Sequence, residues 1–245
     1  MTKAKVFHIG LPLLALSMAA HAGSFTFDTT PGATESGGNP VDAQAVFTTT
    51  AGQVSVTLYN LLVNPTTVAQ NLSDFLFTLS GTTSLGSLAS SSGQEITVAG
   101  PGSTTGSTVA TGWSFTSPST GSYLLNVLGT AIGPAHTIIG APGTGGYTNA
   151  KGSIAGNTPH NPFLNQSATF TMNITGVNAD TTISNVFFSF GTASGNDVSG
   201  CLVDGPACTS FTTPEPLSLS LVGGGLLVLG PDSYTHLTLP TNREV

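Results

Sequence analysis

Charge is what this sequence has least of. Only 6% of its 245 residues are Asp, Glu, Lys or Arg, against about 25% in an ordinary globular domain. Cations are scarcest, with Lys3, Lys5, Lys151 and Arg243 the complete set. A nucleic-acid binder replaces counterions with Lys and Arg along the phosphates, so no nucleic-acid partner is expected. The formal net charge of −7 also disfavours anionic membranes and acidic polymers, which repel a like-charged surface within a Debye length. Cysteine is nearly absent. Cys201 and Cys208 are the only two, separated by a turn-like Asp204-Gly205-Pro206. In an exported chain so close a pair is expected to be a disulfide rather than a metal site or free thiols.

Catalytic patterns are missing as well. There is no Gly-x-Ser-x-Gly nucleophile elbow between a strand and a helix, and Gly143-Thr144-Gly145-Gly146 lacks the Lys and following helix of a phosphate loop. Between residues 23 and 213 the only histidines are His136 and His160, both in loop-like contexts that predict solvated side chains. The eight acids of that span, Asp28, Glu35, Asp42, Asp74, Glu95, Asp180, Asp197 and Asp204, show no spacing that suggests a glycosidase pair. No catalytic residue is therefore assigned, and the chain is not expected to be an enzyme. In place of charge stand hydroxyls: 38 Thr and 27 Ser, beside 31 Gly.

The two ends read as addresses. Lys3 and Lys5 give a basic start, Val6 to Ala19 is mostly apolar, and Ala20 and Ala22 are the small residues a signal peptidase inspects. Cleavage after Ala22 is predicted. The stretch is shorter than the roughly 20 residues of a bilayer span and Pro12 interrupts it, which favours a removable signal over an anchor. At the other end, Pro214-Glu215-Pro216 abuts an apolar run of 14 residues, Leu217 to Gly230, rich in Leu and Gly.

This end closely resembles the PEP-CTERM protein-sorting region, in which a Pro-Glu-Pro triplet precedes a Gly- and Leu-rich transmembrane helix and an Arg-rich end. The resemblance covers Pro214 to Gly230. It implies an exosortase substrate of a Gram-negative bacterium, held transiently in the inner membrane by its C-terminal helix and then passed to the cell surface or biofilm matrix. The run is about six residues short of a span, and no Arg cluster follows. Ser233 to Thr241 can be encoded as TCT TAT ACA CAT CTG ACG CTG CCG ACG, which looks like a sequencing-library adapter read in frame. Residues 231–245 are accordingly expected to be a non-native tail. The predicted organisation is a signal peptide over 1–22, an ectodomain over 23–213, a truncated sorting segment over 214–230, and that tail.

Within the ectodomain the hydrophobic period is two. Val54, Val56 and Leu58 alternate, as do Phe75, Phe77 and Leu79, then Ala168, Phe170, Met172 and Ile174, and then Phe188 and Phe190. Loop Thr49 to Gly52 predicts a hairpin, and cross-strand Thr pairs are expected on the wet face. These patterns predict an all-β fold, an antiparallel β-sandwich of jelly-roll-like form. Gly129 to Pro162 reads as a long surface excursion, and Gly81 to Gly93 as a loop. Among aromatics suited to stacking on sugars, Trp113, Tyr59, Tyr123 and Tyr147, the Trp113/Phe115 alternation places Trp113 in the core. Tyr147, in a Gly-rich loop, is the expected exposed glycan contact. No cofactor is expected, with calcium on Asp28, Glu35, Asp42, Asp180 or Asp197 as the alternative. The functional expectation is an exported surface or matrix protein with a structural or adhesive role in extracellular polysaccharide. Its partners would be signal peptidase, exosortase and the polysaccharide itself. A carbohydrate-binding module is the alternative, and a secreted hydrolase stands last.

Overall fold

The computed structural model describes residues 22–82, 84–193, 196–203, 205 and 208. Ala20, Asp204, the triplet Pro214-Glu215-Pro216, the apolar run and the tail lie outside the described residues. The described chain is all-β, twelve strands with one 3-10 turn at Val68–Gln70. Among the described residues no helix is long and apolar enough to cross a membrane.

Alternation decides the first elements. Strands β1 (Gly23–Thr29), β2 (Ala43–Thr50) and β3 (Gln53–Asn60) form an antiparallel meander, with β2 and β3 joined through Ala51-Gly52. Gly52 has φ +73°, the left-handed conformation a tight hairpin needs. Ala45 and Phe47 on β2, and Val54, Val56 and Leu58 on β3, are fully buried, so the predicted face is the core face. Strand β4 (Leu72–Leu79) turns Phe75 and Phe77 inward, and their rings sit 5.7 and 5.2 Å from that of Phe47 across the core. Each such ring withdraws enough apolar surface to contribute on the order of 2–3 kcal/mol.

The remaining strands are β5 (Ser87–Val98), β6 (Ser103–Val109), β7 (Ser114–Ser119), β8 (Ser122–Asn126), β9 (Ile138–Ile139), β10 (Phe163–Asn173), β11 (Ile183–Phe190) and β12 (Asp197–Leu202). The ladder runs β10-β3-β2-β1-β12-β11-β4, and β9 pairs with both β10 and β4, closing a ring of eight strands. The hairpins β5–β6 and β8–β7 extend from β10 and β4. This corrects the jelly-roll expectation. A jelly roll separates its strands into two sheets, whereas here all twelve share one hydrogen-bonded network. Period-two alternation reports which face is buried and says nothing about which strand is the neighbour.

Two loop expectations are also overturned. The stretch read as a surface excursion supplies β9, and Ala135 to Gly140 is buried throughout. It also builds a second apolar cluster from Ile139, Tyr147 and Ile154 with Val68, Ile96, Val98 and Phe163. The stretch Gly81 to Gly93 contains the start of β5, whose Ser-rich sequence mimics a loop because both of its faces there are largely wet. Cys201, on β12, is bonded to Cys208 with Cα atoms 5.2 Å apart, as expected from their spacing.

Candidate functional site

The outer surface of β5, β10, β3, β2 and β1 carries a regular array of polar side chains. Residues between the core positions face outward and fall into cross-strand rows fixed by the register. One row reads Ser92, Thr169, Thr57, Val46, Thr26. The next, two residues along each strand, reads Ser90, Thr171, Ser55, Thr48, Ser24. On the other side lies Ser167, Tyr59, Gln44, Asp28. Strands stand about 4.8 Å apart and rows about 6.8 Å, the spacing of any paired sheet. Side chains tie neighbouring strands together: Thr57 and Thr169 hydroxyls are 2.9 Å apart, and Gln53 Nε2 donates to Asn173 Oδ1 at 3.2 Å. Gln44 Nε2 donates to Asp28 Oδ1 at 2.9 Å. Asp28 is the single ionisable carboxylate in the three rows, and half-buried Tyr59 their single aromatic ring.

At one end of this wall Asn173 and Ser87 border an open cleft of about 610 Å³, floored by Gly52, Gly86 and Gly176 and flanked by Leu85. Leu85 is 73% exposed. Gly86 has φ +67° and its missing Cβ would lie 2.8 Å from Ile174 Cγ1, so the cleft needs glycine there on both counts.

The other aromatic candidates lie inside. Tyr147 is 1% exposed, which overturns its assignment as an exposed glycan contact. Its N–H donates to Pro101 O at 2.8 Å and its hydroxyl to Gly140 O at 2.9 Å, folding the loop down onto the second apolar cluster. Burial pushes its phenol up to about 12. Trp113 is a core residue as expected, with Nε1 donating to His136 O at 2.9 Å. Tyr123 is fully buried and donates to Ser84 O at 2.6 Å.

His136 is buried as well, a second correction, since a solvated side chain was expected. Its Nδ1 lies 2.8 Å from Thr111 O and its Nε2 3.0 Å from Glu95 Oε1. A carbonyl only accepts, so Nδ1 carries a proton. With Nε2 held by Glu95, neither nitrogen is free to act on a substrate. His160 places Nδ1 2.8 Å from Ser153 O, within its own loop.

Of the acids proposed for calcium only Asp28 and Asp42 lie near each other. Glu35 accepts from Gly37 N at 2.6 Å and Asn39 N at 2.9 Å. Burial opposes its charge, yet these bonds hold its carboxyl below the usual range. Asp42 is pushed up by burial and by the nearby Asp28 charge, against a hydrogen bond with Thr29. Asp180 lies in an exposed turn, and Asp197 accepts from Ser189 Oγ on the neighbouring strand. Among the described residues no group of three or more His, Cys, Asp or Glu converges to hold a metal ion.

One cluster escaped sequence reading. Asp74, Ser189 and Asp197 stand in register across β4, β11 and β12. Burial raises the Asp74 carboxyl to about 6; a hydrogen bond from Ser189 works against the rise and the Asp197 charge adds to it. Asp74 is more than 100 residues from the other two in the chain, and no local pattern marks the three. The hydroxyl wall was partly legible, because cross-strand Thr pairing follows from alternation, while its continuity over five strands depends on the register. The wall can donate and accept many hydrogen bonds with Asp28 as the one ionisable carboxylate in its three rows. No family model, curated protein or solved structure matches the chain.

Proposed function

We propose that this chain is an exported protein of the cell surface or extracellular matrix, sorted through its Pro214-Glu215-Pro216 segment and processed there by an exosortase. The observation that carries the reading is the triplet abutting the apolar run Leu217 to Gly230, with an export signal at the opposite end of the chain. In this reading the apolar run retains the protein in the inner membrane. The flanking prolines keep the scissile segment out of a helix and open to the enzyme. The ectodomain then has a structural or adhesive role among extracellular polysaccharide. A disulfide suits an oxidising compartment, and a surface solvated by hydroxyls suits a matrix of sugars. The packing of the Phe47 wall against the Phe75 and Phe77 wall supports a flattened, sandwich-like barrel as the finer description of that ectodomain.

Replacing Glu215 with Ala in the intact natural gene tests the sorting reading. Unprocessed protein should accumulate in the membrane fraction. Normal release of the variant would contradict the reading.

A second reading, an extracellular carbohydrate-binding module, is favoured by the hydroxyl rows on β5, β10, β3, β2 and β1. Both readings share location and differ in whether the ectodomain itself holds sugar.

A further inference from the structure

We infer that the outer wall of β5, β10, β3, β2 and β1 is a binding site for an uncharged polysaccharide chain laid across the strands, with Tyr59 as its stacking platform. The inference rests on the carbohydrate-binding reading and narrows it to one face and one ligand class.

Charge sets the class. Across the three rows the only ionisable carboxylate is Asp28, and the Gln44 amide already engages it. An anionic polymer would meet no cation on this face and a net charge of −7 overall. A protein partner needs buried apolar or aromatic anchors at the centre of its contact. The large exposed hydrophobics of the described chain, Leu61, Val63, Leu85, Ile132 and Leu202, all lie off the rows. What remains is a ligand that, like the wall, offers hydroxyls in both donor and acceptor roles.

Geometry sets the direction. A chain running across the strands meets a new side chain about every 4.8 Å, and in the three rows all of these but Val46 can hydrogen-bond. The row Ser167, Tyr59, Gln44, Asp28 combines a ring face with amide and carboxylate groups. The ring suits the apolar C–H face of a pyranose, and the polar groups suit its equatorial hydroxyls. The row beside it, through Thr169 and Thr57, is already cross-linked by a 2.9 Å hydroxyl contact. β-Branched side chains carry few χ1 rotamers, so this row loses little entropy when ligand binds.

The test is affinity electrophoresis of the purified full-length chain in gels containing a neutral glucan, a neutral mannan, a neutral galactan or anionic alginate. Retardation is expected on at least one neutral polymer, persisting in high salt, with none on alginate. Tyr59→Ala should weaken it about tenfold or more, the scale of an aromatic anchor, and Tyr59→Phe should retain it. The double variant Thr57→Val, Thr169→Val removes two hydroxyls while keeping the branched shape, and should also weaken retardation. Thr104→Val, on β6 off the wall, should not. Thermal melting of each variant separates lost binding from lost folding.

Neutral-glycan binding that survives both the Tyr59→Ala and double-Val changes would place the site elsewhere, overturning this inference and sparing the module reading. No retardation on any neutral polymer, or a preference for alginate, would overturn both. The sorting reading is untouched by either result.

Discussion

Asp74 shows how one residue couples the sheet to pH. Asp74 is 8% exposed and stands in register with Ser189, whose hydroxyl it shares with Asp197. Folding raises its pKa from 3.8 to about 6, so the neutral form is the one the fold prefers. The contribution is fully present below the unfolded pKa and is lost as pH rises through about 4 to 6. That rise in pKa corresponds to at most about 3 kcal/mol. Asp74→Asn should therefore raise the melting temperature at pH 7 and change little below pH 4. Melting curves across that range check it, and equal destabilisation at both pH values would refute the account. Glu35 has the opposite sign, because bonds from Gly37 and Asn39 favour its charged form and their contribution is lost on acidification. Sequence could name these acids but could not assign their environments. Tyr147 and His136 illustrate the same limit: Gly-rich flanks mark a turn, yet whether a turn folds outward or inward depends on partners such as Pro101 and Glu95, far away in the chain.

At the scale of elements, two residues of β9 join β10 to β4, and the ring depends on them. The backbone approaches closely there: a Cβ on Gly140 would lie 1.9 Å from Leu62 O. Asn60 reinforces the junction by donating to Gln70 O and Ile138 O at 2.9 Å each. Gly140→Ala should force these segments apart at a cost of about 2 to 4 kcal/mol, seen as a lower urea midpoint. Unchanged stability would show that the closure is not under this constraint. Strands β2, β3 and β10 were legible because alternate residues are buried and the residues between them are wetter; in β4 and β11 the alternation of Phe carried the same signal although the second face is largely covered too. Strand β6, Ser103–Val109, was not, since six of its seven residues are exposed and no period can form. Strand β9 was equally hidden, because two residues carry no period at all.

For the whole molecule, low charge now has a location. Lys151 is the only Lys or Arg between residues 23 and 213, and the wall that carries the binding proposal is almost free of ionisable groups. The disulfide closes a loop of about eight residues, worth about 2.5 kcal/mol in the chain-entropy picture. Reduction should lower the melting temperature without abolishing folding, because the main core from Phe47 to Phe190 lies outside that loop. Complete unfolding on reduction would contradict this. All-β class and the cysteine pair were readable from the chain alone. Ring closure was not, because it depends on contacts between stretches far apart in sequence. Export and processing are tested by mass spectrometry of the mature protein recovered from the extracellular polysaccharide fraction of producing cells. The expected chain begins at Gly23 and ends close to Pro214-Glu215-Pro216. A chain found only inside the cell, with residues 1–22 still attached, would contradict it.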